Sequence, residues 1–375
     1  MRIAFDSQAF CLQRTGGISR YFMKLAQGLA RVNESVGIFA PLHRNIYLKD
    51  LDKGIVQGLA VKDYLPKTAN LTVAVNAFIS QEMIKKWHPD ILHETYFSKR
   101  PALKGFTPTV ITVFDMISEL AEINSENHEI ARVENQKTTK YKSLLRATHV
   151  ICISEATKRD LLKIYSIPED KITVIHLGCE KQFNFVATPS SLLSARPYIL
   201  YVGLRQGYKN FSGLLNAIAQ SPRLFKDFDL VAFGGGLFDE SELKLIKKLG
   251  FKENQVRHQQ GSDDALCAAY AQANAFIYPS KYEGFGLPPL EAMSQGCPVV
   301  SSNTSSMPEV IGEAGYFFNP TDIADMTHAI EKVVYSEVIK KELILKGHER
   351  VKEFTWERCV KRTLATYQSI LNEPR

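Results

Sequence analysis

At 375 residues, with 45% apolar and 23% charged side chains, the chain is long enough for two domains and apolar enough to give each a core. Its 46 lysines and arginines exceed its 40 aspartates and glutamates, a formal charge of +6 that suits an anionic ligand. No dense basic stripe with interleaved aromatics accompanies that charge, which argues against nucleic acid as a partner.

Cys11, Cys152, Cys179, Cys267, Cys297 and Cys359 form no C-x-x-C pair. That pattern favours reduced thiols in cytoplasm over a zinc or disulfide framework. No apolar run reads as a secretory signal or reaches the ~18 residues of a spanning helix; peripheral contact with the inner face of a membrane needs no such run.

In chain order, Arg2–Phe5 predicts a first strand, and the loop through Thr15, Gly16 and Gly17 leads into a helix. Ile18, Phe22, Leu25 and Leu29 fall on one stripe of that helix. Further short apolar runs follow at 36–40, 91–93, 109–114, 150–154 and 172–176, with helical patterns at 78–87 and 156–165. Strand alternating with helix predicts a parallel sheet covered on both faces. The polar, Ser/Pro-containing stretch 179–196 reads as a linker between a first domain, 1–178, and a second, 197–353. In the second half, strands are expected at Tyr198–Val202, 230–233, Ala275–Tyr278 and 298–301. A helix is expected from about Asn210. The tail 354–375 reads as a helix with Leu364, Tyr367 and Leu371 at packing intervals, able to cross back to the first domain.

The strongest chemical signal is P-S-K-Y-E-G-F-G-L-P-P-L-E-A-M over 279–293. Pro288 and Pro289 can open a helix because their missing amides lose nothing there, and Gly296 can end it. Gly284 and Gly286 let the backbone approach a ligand, and free amides at a helix start favour negative charge. Ser280, Phe285, Gly286 and Leu287 are therefore candidate binding residues. Glu283 can accept hydrogen bonds from sugar hydroxyls, and Glu291 can hold a ribose. The alternative is a Gly/Pro turn with Glu291 as a helix-surface residue.

A second signal is Y-V-G-L-R-Q-G-Y-K-N over 201–210, after the first strand of the second half, where doubly wound sheets present ligands. Gly203 permits close approach. Arg205 and Lys209 can balance a diphosphate leaving group without a metal, or they are solvated surface charges. The Gly16-Gly17 turn is weaker, since it is neither a G-x-G-x-x-G fingerprint nor a P-loop. Gly234, Gly235 and Gly236 mark another strand-end turn. Asp115, His93 and Glu94 stand at predicted strand ends as candidates for sugar or acceptor contact; His176 and His258 fit structural roles better. No His/carboxylate cluster has metal-ligand spacing, and G-x-S-x-G is absent.

Together with T-G-G-I-S-R from Thr15, V-I-T-V-F-D-M from Val110, V-I-C-I-S from Val150, K-I-T-V-I-H-L-G from Lys171 and S-M-P-E-V-I-G-E-A-G from Ser306, these segments resemble the retaining glycosyltransferases of family 4 over nearly the whole chain. The resemblance implies a GT-B fold, with two Rossmann-like domains whose parallel sheets face across a cleft. It implies a metal-independent transferase taking a hexose from a nucleotide diphosphate sugar, with a lean to GDP-mannose over UDP-sugars. The acceptor it implies is a hydroxyl of a glycan or lipid-linked oligosaccharide. By the same likeness Glu283 contacts the transferred sugar and Glu291 the ribose, while Arg205 and Lys209 hold the diphosphate. Gly16, Gly17 and the amides near Phe285 and Gly286 approach phosphates or sugar. Phe114 departs from the family, which often has histidine there, and Asp115 is the polar member left. A GT-B epimerase or a non-catalytic sugar-binding protein would share many of these features.

Overall fold

A computed structural model describes residues 1–64, 68–103, 105, 107–120, 127–180, 196–205 and 207–373. The chain divides into two units, 1–178 with 356–375, and 179–355. Most of the expected linker, residues 181–195, lies outside the described residues.

The first unit runs β1 (Arg2–Phe5), α1 (Gln8–Leu12), α2 (Gly17–Arg31), β2 (Ser35–His43), β3 (Val56–Ala60), α3 (Ala69–Trp87) and β4 (Ile91–Glu94). It continues with β5 (Thr109–Val113), α4 (Ile117–Leu120), α5 (Asn127–Arg146), β6 (His149–Cys152), α6 (Glu155–Ile164) and β7 (Ile172–Val174). Its strands pair in parallel in the order β3-β2-β1-β4-β5-β6-β7. The central strands are apolar on both faces because helices cover both, as in Ile3, Ala4 and Phe5 of β1, all fully buried. On α2, Phe22, Leu25 and Leu29 are buried, the spacing that the sequence announces.

The second unit runs β8 (Tyr198–Val202), α7 (Phe211–Gln220), α8 (Pro222–Asp227), β9 (Asp229–Phe233), α9 (Glu240–Lys248), β10 (Val256–Gln259) and α10 (Asp263–Gln272). Then come β11 (Ala275–Tyr278), α11 (Leu287–Ser294), β12 (Val299–Ser302), α12 (Met307–Ile311), β13 (Gly315–Phe318), α13 (Ile323–Val334) and α14 (Glu337–Val351). The order β10-β9-β8-β11-β12-β13 is that of a doubly wound nucleotide-binding sheet, reversing between β8 and β11.

The last helix, α15 (Trp356–Asn372), packs in the first unit, against α2. Its buried face carries Cys359, Val360, Thr363, Thr366, Tyr367 and Ile370. Tyr367 is on the expected stripe, but Leu364 and Leu371 lie only at its margin. Gly178 permits the approach: a Cβ there would stand 2.5 Å from the Trp356 amide nitrogen.

Candidate functional site

Reversal of strand order leaves a crevice at the carboxyl ends of β8 and β11, where neighbouring loops diverge to opposite faces of the sheet. The loop after β8 carries Gly203 to Asn210, and the loop after β11 carries Pro279 to Gly286. Two contacts fasten them together. The Lys281 amide donates to the Tyr208 carbonyl at 2.7 Å. Buried Asn210 donates its Nδ2 to the Pro279 carbonyl at 3.1 Å and the Pro320 carbonyl at 2.8 Å. Asn210 also takes a left-handed conformation, φ 57°, which asparagine tolerates better than most residues.

This fastening brings Lys209 and Glu283 together. Lys209 Nζ donates to Glu283 Oε1 at 2.7 Å, both side chains being largely buried. The ammonium also faces the rings of Tyr208 and Tyr278, 5.1 and 6.0 Å from their centroids. Burial, and then the Glu283 charge with its hydrogen bond, push the Tyr278 phenol well above its ordinary pKa. Tyr278 therefore stays protonated beside the carboxylate.

The Glu283 backbone is held by two serines that the sequence did not single out. Its amide donates to Ser305 Oγ at 2.8 Å. Ser305 and Ser306 each donate to its carbonyl at 2.9 Å, and Ser306 also reaches the Phe285 carbonyl. The signal available was a Ser-Ser pair just before the Met-Pro that opens α12, a position where hydroxyls satisfy nearby backbone groups.

Gly286 precedes α11 with φ 105°, a conformation that favours glycine. A Cβ there would lie 2.6 Å from Met307 Cε. Pro288 and Pro289 occupy the first turn of α11, so its outward amides come from around Leu287. Buried Phe285 forms the wall behind them, edge-on to Phe354. The Ser280 hydroxyl is buried without a hydrogen-bond partner. Glu291 lies half-buried on α11, near enough to Tyr270 to help raise that phenol after burial has done most.

Arg205, read from the sequence as a diphosphate ligand, makes its contacts within the second unit. Its guanidinium forks onto Glu242 at 2.8 and 3.2 Å, and donates to the carbonyls of Gly234 at 2.9 Å and Leu237 at 2.8 Å. It also lies 4.8 Å from the Phe238 ring centroid. Gly234, Gly235 and Gly236 all have φ between 73° and 83°, so Arg205 pins a left-handed glycine turn at the end of β9. Gly203, φ 116°, joins this turn by donating its amide to the Phe233 carbonyl at 2.9 Å.

In the first unit, Asp115 lines a pocket of about 270 Å³ with Ile18, Tyr96, Phe114, Ser118 and Lys140. Its Oδ1 accepts from the Ile117 amide, opening α4, and its carbonyl accepts from Lys140 Nζ at 3.1 Å. Phe114 packs edge-on against Tyr21 and Phe22, which accounts for an apolar ring there. Gly17 is exposed beside Ile18, while Gly16 abuts Gln13, whose Oε1 caps α2 through the Ser19 amide.

Two further candidates lie in the core of the first unit. His93 is fully buried with both ring nitrogens engaged, Nδ1 to Tyr367 Oη at 2.6 Å and Nε2 to Thr112 Oγ1 at 2.9 Å. Burial lowers its pKa to about 3, so it is a neutral tie between β4, β5 and α15. Glu94 is also buried, paired with Arg146 at 2.5 Å and accepting from the Ala102 amide. Among the described residues, no group of three or more His, Cys, Asp or Glu side chains could hold a metal ion. All six cysteines are free and buried.

Comparison with known proteins matches residues 15–183 to the family described as Glycosyltransferase Family 4 and residues 188–350 to Glycosyl transferases group 1. O-antigen chain mannosyltransferase B of Escherichia coli is 30% identical over 253 residues, covering 65% of this chain and 66% of that protein. The serotype-specific mannosyltransferase WbdA of Escherichia coli is 28% identical over 225 residues, covering 56% of this chain and 27% of that protein. The aligned region thus spans less than two thirds of either relative. Among solved structures, sucrose-phosphate synthase from Thermosynechococcus elongatus superposes with a TM-score of 0.78 at 19% identity, covering 98% of both chains. WaaG, a glycosyltransferase involved in lipopolysaccharide biosynthesis, gives 0.72 at 17% identity, covering 99% of this chain and 100% of that one.

Proposed function

We propose that the chain, whose fold is GT-B and whose two halves match family 4 and group 1 and resemble bacterial mannosyltransferases, is a glycosyltransferase that moves a hexose, with mannose from GDP-mannose preferred over UDP-sugars, to a hydroxyl of a glycan or lipid-linked saccharide with retention at C1. The observation that carries this reading is the Lys209–Glu283 pair, 2.7 Å apart at the reversal point of the second sheet.

In this reading the second unit holds the donor. Glu283 accepts hydrogen bonds from hexose hydroxyls, and its engagement with Lys209 sets the sugar beside the cation. Lys209 has three N–H donors; one serves Glu283, leaving others for the diphosphate oxygens. Glu291 holds the ribose, and the amides around Phe285, Gly286 and Leu287, with the unpartnered Ser280 hydroxyl, hold phosphate or sugar oxygens. Arg205 acts indirectly, by fixing the Gly234 to Gly236 turn and Gly203.

The C1–phosphate oxygen bond breaks as the bond from C1 to the acceptor oxygen forms on the same face. The acceptor proton passes to the departing diphosphate, so nucleoside diphosphate and a new glycoside leave. Charge builds on the phosphate oxygens, and a prepositioned cation there lowers the barrier most. Asp115 and the Gly16-Gly17 turn are assigned to the first unit's side of the reaction, contacting acceptor or sugar. Leu71, Val75 and Phe78, exposed at i, i+4 and i+7 of α3, support peripheral contact at the cytoplasmic face of a membrane.

The test is thermal unfolding with a panel of nucleotide sugars, followed by product analysis with and without acceptor. A rise in Tm with GDP-mannose and a retained anomer in the product are expected. Stabilisation by no nucleotide sugar overturns the reading; conversion of the donor without acceptor makes the chain an epimerase.

A further inference from the structure

The carboxyl ends of β2 and β3, with the loop between α1 and α2, surround a second pocket of about 330 Å³ in the first unit, and Arg14, His43, Arg44, Lys49 and Lys62 line it. Four of these five side chains are cations. Among the described residues one carboxylate, Asp63, reaches them, at 3.5 Å from Arg14 and 3.9 Å from Arg44. The wall is built rather than merely crowded. Asn45 Nδ2 donates to the Gln13 carbonyl at 2.8 Å, the Ile46 amide to the Arg14 carbonyl at 3.1 Å, and Arg44 Nη2 to the Leu12 carbonyl at 3.2 Å. Arg44 is also stacked 5.4 Å from the Tyr64 ring centroid.

His43, only 3% exposed, hydrogen-bonds the Asn45 backbone, and Arg44 Nε is buried without a hydrogen-bond partner. Buried polar groups are normally satisfied, and exceptions call for an explanation. A cationic pocket of this kind, at the carboxyl ends of parallel strands, has the chemistry of an anion site. The forked guanidinium and the charge excess match a phosphate, with its roughly two charges, better than a single carboxylate.

We propose that this pocket binds the phosphate of a phosphorylated acceptor, apart from the donor diphosphate held in the second unit. The acceptor part of this assignment rests on the transferase reading above; the anion site itself does not. The phosphate can be carried by a lipid headgroup or by a soluble sugar phosphate.

The experiment titrates inorganic phosphate into the full chain by calorimetry, with GDP or UDP saturating so that the second unit contributes nothing. Wild type and Lys209→Ala are expected to bind phosphate equally. The double variant Arg44→Gln with Lys62→Gln should bind it at least about tenfold more weakly. Lys62 is exposed, so Lys62→Gln alone keeps the test open should Arg44→Gln unfold; it should weaken binding about threefold. Absence of phosphate binding to wild type, or equal binding by the pocket variants, overturns the site.

Sedimentation with phosphatidylcholine vesicles, with and without phosphatidic acid, decides the carrier. Loss of phosphatidic acid-dependent sedimentation in the pocket variants assigns a lipid headgroup. Sedimentation unchanged by the variants, with phosphate binding lost, assigns a soluble phosphate. The rise in Tm with GDP or UDP reads the donor site separately: phosphate binding without it sinks the transferase reading alone, and the reverse result sinks the pocket alone.

Discussion

Lys209 Nζ stands 2.7 Å from Glu283 Oε1, although 74 residues separate the two in sequence. Neither charge is well solvated, so each depends on the other for its position. If the pair grips the diphospho-sugar, Lys209→Ala and Glu283→Ala should each lower kcat about 10²–10³-fold at saturating donor, with the fold intact. The double variant should be little worse than either single one, because groups that act as a unit are not additive. Steady-state kinetics of the three variants checks this. Near-normal turnover in Lys209→Ala would leave the pair a structural ion bridge.

Arg205 should behave in the opposite way. Its guanidinium satisfies both Glu242 oxygens and two turn carbonyls inside the unit. Removing it strands a partly buried carboxylate, so Arg205→Ala should destabilise the chain by about 3 kcal/mol in urea unfolding. Arg205→Lys should recover little of this, since an ammonium cannot fork. Unchanged stability with abolished donor binding would return Arg205 to the diphosphate.

The difference between these two cations shows what a sequence makes legible. Both follow β8 within seven residues, and both look like phosphate ligands. The Glu242 partner of Arg205 is 37 positions away, and no local pattern announces it. Burial hides similarly: His93 and Glu94 end a strand, as ligands often do, yet Tyr367, Thr112 and Arg146 consume them. The strands β1, β8 and β11 are plain in the sequence because both of their faces are covered. The overlooked strands β3, β10 and β13 all lie at sheet edges, where polar residues such as Arg257 and Gln259, or a Gly58, interrupt the apolar run.

His93 sets a pH dependence whose sign follows from its burial. Its pKa falls from 6.5 to about 3, so between those values the unfolded chain binds a proton that the folded chain refuses. Stability from this residue is therefore complete above about pH 6.5 and is lost as pH falls towards 3, by up to ~1.4 kcal/mol per pH unit. The buried carboxyls Asp6 and Glu94, with pKa values raised first by burial, oppose this trend. The expected outcome is thus a difference: urea stability of wild type minus His93→Gln should shrink from pH 7 to pH 4. A difference constant with pH would mean that His93 has the same pKa in the folded and the unfolded chain.

Asn210 joins stability to the site most directly. It holds φ 57° and donates to the carbonyls of Pro279 and Pro320, so it fixes the start of the loop that carries Glu283. Asn210→Ala loses both hydrogen bonds and places a Cβ-bearing residue without asparagine's tolerance in the left-handed region; a loss of about 2–3 kcal/mol is expected. Asn210→Gly relieves the backbone but not the carbonyls, and should recover about 1 kcal/mol of it. Turnover should nevertheless stay low in both, because misplacing a reacting geometry by an ångström can lower rate about 10²-fold. Stability recovered together with full activity in Asn210→Gly would show that the two hydrogen bonds do not position Lys209 against Glu283. Activity remaining low as stability returns is the result expected of a latch between the two loops.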